Sequence, residues 1–171
     1  MAPTELSAIR GRHRGQCIAV LGGGPTLLAD LKRVPFDAIL IGVNQHAMLM
    51  NLDYLVFEDR DIYPVVRESD APLCTSHRDL AHIYTGIAPG YGLSGATATW
   101  IADYFEASQI ILAGMDNYSG GRRYWHSPPQ WKGDSLGCSC ISVWQQVHRQ
   151  LERPERVRAI SGPLTEVFGT L

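Results

Sequence analysis

The stretch Gly22-Gly23-Gly24-Pro25-Thr26 carries the first chemistry in this chain. It follows the apolar run Cys17-Ile18-Ala19-Val20-Leu21 and leads into Leu27-Leu28. Glycines let a backbone turn sharply and approach a ligand with no Cβ in the way. Pro25 suits a first helical turn, where its missing N–H costs nothing. The open N–H groups and the helix dipole of such a turn attract an anion, so the stretch is read as facing the phosphate of a nucleotide or a similar ligand. The same glycines would also serve a tight strand-to-helix connection with no ligand. Two common readings are excluded. The turn lacks the Lys and Ser/Thr of a Walker A loop, and Pro25-Thr26-Leu27 breaks the G-x-G-x-x-G pattern. No G-x-S-x-G nucleophile turn occurs either.

Other polar groups follow apolar runs in the same way. Asn44 follows Asp37–Val43, and Glu58, Asp59 and Asp61 follow Tyr54–Phe57. Ser76 and His77 follow Leu73–Thr75, Asp116, Asn117 and Tyr118 follow Gln109–Ala113, and Ser161 follows Val157–Ile160. The stretch 114–139 reads as a long loop carrying Arg122, Arg123, Tyr124, Trp125, His126, Trp131 and Lys132. Arg and Lys meet phosphates, aromatic rings stack on a base or sugar, and His126 is a candidate general acid or base. The alternative is a surface loop pinned by its own aromatics. His148 is expected as a half-buried helix residue and His46 as a group behind the site.

The elements that must bring these groups together are legible from periodicity. The Val, Ile and Leu runs are continuous rather than alternating, and helical stretches separate them, at Tyr63–Glu68, Ser94–Phe105, Ile141–Leu151 and Leu164–Phe168. Ser94 is the expected N-cap of its helix. That pattern predicts an α/β fold, a Rossmann-like three-layer domain with a mostly parallel sheet covered on both faces. In open α/β sheets ligands bind at the carboxyl ends of the strands, where the groups named above would converge. Residues 1–171 are read as one domain, with 1–14 as a loosely ordered segment.

Bulk properties narrow the classes further. The chain has 171 residues, 45% of them apolar and 19% charged, with a formal net charge of −2. That balance argues against a protein built mainly to coat nucleic acid. No apolar run is long enough to span a membrane, and the polar start shows no secretory core. Cys17, Cys74, Cys138 and Cys140 lack the usual zinc spacings and are read as reduced thiols in a cytoplasmic protein.

Taken in order, Val20–Leu27, Val43-Asn44-Gln45 and Asp53–Phe57 resemble the MptE-like superfamily. That group includes archaeal 6-hydroxymethylpterin diphosphokinases, many phage and bacterial proteins and, more distantly, the lipooligosaccharide sialyltransferases of glycosyltransferase family 42. Its usual opening is G-x-G-P-S-L, close to Gly22-Gly23-Gly24-Pro25-Thr26-Leu27 here. Ser94-Gly95 at a helix start and Ile110–Asp116 extend the resemblance, which covers roughly residues 14–126. It implies a nucleotide site built from Gly22, Gly23, Gly24, Pro25, Thr26, Asn44, Ser94, Gly95, Asp116, Tyr118 and Tyr124. The sialyltransferases use a histidine well after the last of these tyrosines. Only His126 or His148 is available here, and neither has a matching context. Those enzymes also carry a membrane-associating or lid segment for which this chain has no room.

The resulting expectation is a transferase, with glycosyl transfer from a CMP-sugar-type donor to a small-molecule or glycan acceptor. The glycine turn with Arg122 and Arg123 would neutralise the donor phosphate, Asn44 and Asp116 would orient ribose or base, and His126, with Asp116, would carry the catalysis. One alternative is a diphosphokinase using ATP and Mg²⁺, with Asp59 and Asp61 as oxygen ligands. The other is a phage-type nucleotide-binding protein without catalysis. A homo-oligomer is compatible with each.

Overall fold

Successive side chains of a strand point to opposite faces, so a run such as Ile18–Leu21 is stable only with both faces covered. The computed structural model, which describes residues 2–116 and 141–171, has that arrangement. Strands β1 (Thr4–Glu5), β2 (Cys17–Leu21), β3 (Ile39–Val43), β4 (Tyr54–Val56), β5 (Leu73–Thr75), β6 (Ile83–Tyr84), β7 (Gln109–Ala113) and β8 (Val157–Ala159) form one sheet. Its order is β1-β6-β5-β4-β3-β2-β7-β8, and every pairing is parallel. The chain lays β3 to β6 outward on one side of β2, then returns to place β7 and β8 on the other side. The carboxyl end of β2 therefore lies where the strand order reverses, the usual ligand crevice of an open α/β sheet.

Alternation along β2 divides the core. Ile18 and Val20 face one layer with Ile41, Ile110 and Leu112, covered by helices α3 (Ser94–Tyr104) and α4 (Ile141–Gln150) through Ala98, Ile101, Ala102, Trp144 and Val147. Ala19 and Leu21 face the other layer with Ile111, Ala113, Ala47 and Leu27, the last from the single-turn helix α1 (Leu27–Asp30). A smaller cluster under β4 and β5 joins Leu55, Phe57 and Leu73 to Val66 of helix α2 (Tyr63–Val66). Helix α5 (Thr165–Phe168) packs its Phe168 edge-on against Trp144. Small residues at 95, 96 and 98 let α3 lie close on the sheet.

Several expectations change. Pro25 precedes the cap residue Thr26 and stands outside α1. The N-cap of α3 is Leu93, not Ser94. The Ser94 hydroxyl instead accepts the Glu58 backbone N–H at 3.1 Å, tying the helix start to the end of β4. A 3-10 turn, Asn44–Ala47, follows β3 directly. The N-terminal stretch, expected as loose, is packed. Thr4–Glu5 pairs with β6, Leu6 is buried, and the Gly11 and His13 N–H groups donate to the carbonyls of Tyr104 and Phe105. Cys17 and Cys74 are free thiols, half-buried and buried respectively. Among the described residues no helix is long and apolar enough to cross a membrane.

Candidate functional site

The glycine turn continues the pairing of β2 with β7 beyond the strands. Gly22 N–H donates to the Ala113 carbonyl at 2.8 Å and Gly24 N–H to the Gly114 carbonyl at 2.7 Å. The approach is so close that side chains are excluded. A methyl group on Gly24 would overlap the Asp116 carboxylate and lie 2.6 Å from the Gly114 carbonyl oxygen. One on Gly23 would lie 2.6 Å from Cβ of His46. His46 is buried behind the turn, at the position expected of it.

Asp116 folds back over this turn. Its Oδ2 accepts the Thr26 backbone N–H at 3.1 Å and lies 3.0 Å from Thr26 Oγ1. The carboxylate thus engages a donor that an external anion would otherwise meet. Beneath it sits Asp30, the last residue of α1. Asp30 Oδ2 accepts the Gly114 N–H at 2.9 Å and lies 2.8 Å from both Thr26 Oγ1 and Ser161 Oγ. Ser161 follows β8 and reaches Thr26 Oγ1 at 2.9 Å. Asp30 and Asp116 are 4% and 6% exposed, so two carboxylates share one water-poor site. Burial pushes the Asp116 carboxyl above its ordinary value; the Thr26 N–H and hydroxyl pull it down, and the charge of Asp30 raises it again.

Asn44 marks the neighbouring strand end. Its φ of +55° lies in the left-handed region that residues with a Cβ rarely occupy. Its Oδ1 is buried with no hydrogen-bond partner, as is Oε1 of Gln45 beside it. Buried acceptors without donors are rare and point to a missing partner.

Farther along the edge, Ser94 and Gly95 open α3. A Cβ on Gly95 would lie 3.2 Å from Met115 Sδ, so the helix start abuts the end of β7. Glu58 accepts hydrogen bonds from the Ser76 hydroxyl and backbone N–H, and His77 Nε2 donates to the Glu58 carbonyl at 2.6 Å. Asp59 and Asp61 are exposed, and between them Arg60 pairs with Asp79. Among the described residues no group of three His, Cys, Asp or Glu side chains is arranged to hold a metal ion.

The structure therefore brings Gly22, Gly23, Gly24, Thr26, Asn44, Ser94, Gly95 and Asp116 to one edge of the sheet. Asp59 and Asp61 lie after β4, beyond Asn44. Tyr118, Arg122, Arg123, Tyr124 and His126 lie outside the described residues, as do Cys138 and Cys140. His148 is half-buried on α4, its ring 5.6 Å from that of Phe168. Sequence reasoning missed Asp30. The available signal was an acid four residues after Thr26 within the otherwise apolar run Leu27-Leu28-Ala29-Asp30-Leu31.

The sequence matches no protein-family model and no curated protein sequence. Solved structures share the fold. The sialyltransferase CstII from Campylobacter jejuni in complex with CMP-3FNeuAc superposes with a TM-score of 0.64 at 17% identity, over 92% of this chain and 86% of that one. CST-II in complex with a trisaccharide acceptor and CMP gives 0.61 at 14% identity, over 91% and 86%. An alpha-2,3-sialyltransferase from Campylobacter jejuni in apo form gives 0.56 at 13% identity, over 91% and 80%. The chain thus has the α/β fold of these sialyltransferases.

Proposed function

We propose that this chain binds a nucleotide or a nucleotide-activated sugar where β3, β2 and β7 end, and transfers the glycosyl group of a CMP-sugar-type donor to a small-molecule or glycan acceptor. Asn44 carries this reading. A non-glycine residue held at a φ of +55°, with its Oδ1 buried and unpartnered beside the strand-order reversal, is a local cost that folding alone does not explain. A ligand donor at Oδ1 offsets it. The fold shared with sialyltransferases crystallised with CMP and with a trisaccharide acceptor supports the choice of nucleotide and acceptor. The order of Gly22–Leu27, Asn44, Ser94-Gly95 and Asp116 supports kinship with the MptE-like superfamily. In this reading Asp116 shapes the turn through Thr26, Ser94-Gly95 presents the start of α3 to the donor, Arg122 and Arg123 neutralise phosphate, Tyr118 and Tyr124 contact the nucleotide, and His126 is the base.

The test is a thermal-shift series with CMP, CDP, UDP, GDP and ATP, each with and without Mg²⁺, followed by an assay of CMP release from CMP-sialic acid. A ligand at 100 times its Kd stabilises by about 2.7 kcal/mol. CMP is expected to give the largest shift without metal, and Asn44→Ala to remove it. No shift with any nucleotide overturns the reading. A shift with ATP alone, and only with Mg²⁺, replaces it with the diphosphokinase. A CMP shift without turnover of the CMP-sugar replaces it with a binding protein.

A further inference from the structure

Met115 stands just past β7, beside the glycine turn. Val20 and Leu112 face the α3 side of the sheet, Leu21 lies with Ala113 on the other, and Met115 packs with the first layer. Two backbones close on its thioether. A methyl group on Gly22, at the end of β2, would lie 2.7 Å from Met115 Sδ. One on Gly95, in the first turn of α3, would lie 3.2 Å from both Sδ and Cε of Met115, and 3.5 Å from the Trp144 ring. The thioether thus bridges the turn and the helix start, with the indole of α4 against the same point. A Cβ at either glycine would displace it.

This placement differs from that of the core proper. Val20 and Leu112 are enclosed, whereas Met115 is half-buried. The enclosed core lies on its inner side, so its open surface is at the carboxyl edge, the edge that also carries Thr26, Asn44 and Ser94. Those three are polar and can orient a ligand. A binding crevice also needs apolar surface against which the body of the ligand is buried. A thioether suits a flat ring. It is polarisable, it turns freely about its bonds, and it meets aromatic rings at about 5 Å.

We propose that Met115 is the floor of the nucleotide site and that the base ring of the bound nucleotide rests on its thioether. The inference rests on the nucleotide-site reading and gives that site a depth. Asn44 and the start of α3 act at the rim, and Met115 sets how far the ring descends between the turn and the helix.

The test follows isotope-labelled methionine methyl groups by NMR as CMP is added. The chain has four methionines, so Met1, Met48 and Met50 are internal references, and Met115→Leu assigns the fourth signal. A base displaces the proton signal of a methyl group that it covers, through its ring current; ribose has no such current. The Met115 signal is expected to move with CMP, more than the other three, and to stay in place with ribose 5-phosphate. Affinity is read by calorimetry on the same proteins. Met115→Leu keeps the volume and should bind CMP as wild type does. Met115→Ala should raise the Kd by about tenfold. Met115→Gln keeps the length but adds an amide. It serves where the alanine variant does not fold, and it should weaken binding in the same direction. CMP binding with no displacement of the Met115 methyl signal overturns the proposal. So do alanine and glutamine variants that bind as wild type does. An equal displacement by ribose 5-phosphate also overturns it, because the sugar would then be the contact. Wild-type protein that gives no heat with CMP overturns the nucleotide reading, and the floor with it.

Discussion

The edge of this sheet holds two sets of polar residues that differ in kind. Where β2 and β7 end, Thr26, Asp30, Asp116 and Ser161 are packed against each other out of water, under a turn whose glycines leave no space for a side chain. Two strands away, after β4 and β5, Glu58, Ser76 and His77 are linked at the surface, and Arg60 pairs with an exposed Asp79. Both sets are rich in acids and hydroxyls, and in the amino-acid sequence they look alike. Their energetics do not. Removing a partner from a buried network leaves the others desolvated and unpaired, whereas water replaces a lost partner at the surface. The first set defines the shape of the candidate site; the second decorates the rim.

Substitutions can break that contrast, beginning with the largest expected effect. Gly24→Ala drives a methyl group into the buried Asp116 carboxylate and the backbone carbonyl of Gly114. A loss of about 3 kcal/mol or more in denaturant unfolding is expected. A well-folded variant of near wild-type stability would show that the turn is less tightly closed. Asp30→Ala comes next. It strips the acceptor from Thr26, Ser161 and the Gly114 N–H, and about 2 kcal/mol should be lost. Asn44→Gly should act in the opposite direction. Relief of the left-handed backbone and removal of the orphaned oxygen are expected to raise stability by about 1 kcal/mol while the CMP-induced thermal shift disappears. Loss of stability in that variant would mean that Asn44 serves the fold rather than a ligand. The smallest effect belongs to the rim. Arg60→Ala removes an exposed ion pair, and its unfolding midpoint should coincide with wild type at moderate salt. A clear destabilisation would place the Arg60–Asp79 pair among the structural groups and blur the contrast.

The surface at Glu106 gives a useful control for the same distinction. Arg10 and Arg14 both pair with this carboxylate, and the hydrogen bond from Arg14 holds it below the ordinary range. The sign is opposite to that of Asp116, whose burial outweighs the donors it accepts. Two acids of one chain thus depart in opposite directions, one through a cation at the surface and one through burial beside another acid.

How much of this was readable beforehand follows from the range over which each signal acts. Continuous apolar runs identify β2, β3, β4, β5, β7 and β8 to within a residue or two at most ends, because the requirement for two covered faces is written into each run. The two-residue strands β1 and β6 carry no such periodicity and were invisible. Ser94 stands at a helix start, as its residue type suggests, but Leu93 is the cap and the Ser94 hydroxyl serves Glu58, thirty-six residues earlier in sequence, which no local rule predicts. The glycine turn was recognised as a place of close approach. What approaches it is the carboxylate of Asp116, a group that the sequence alone presents as open to a ligand.

The sequence by itself determined the elements, the parallel character of the sheet and the residue types gathered at strand ends, since these depend on periodicity and on turn chemistry within a few positions. Tertiary structure decided which of those ends meet. Only the reversal of strand order beside β2 sets Thr26 against Asp116, ninety residues on, and Ser161, one hundred and thirty-five residues on. The physical reason is that a buried charge is defined by its neighbours. Asp30 is an ordinary helical acid in sequence, and the tertiary fold places it out of water beside Thr26, Ser161 and the Gly114 N–H.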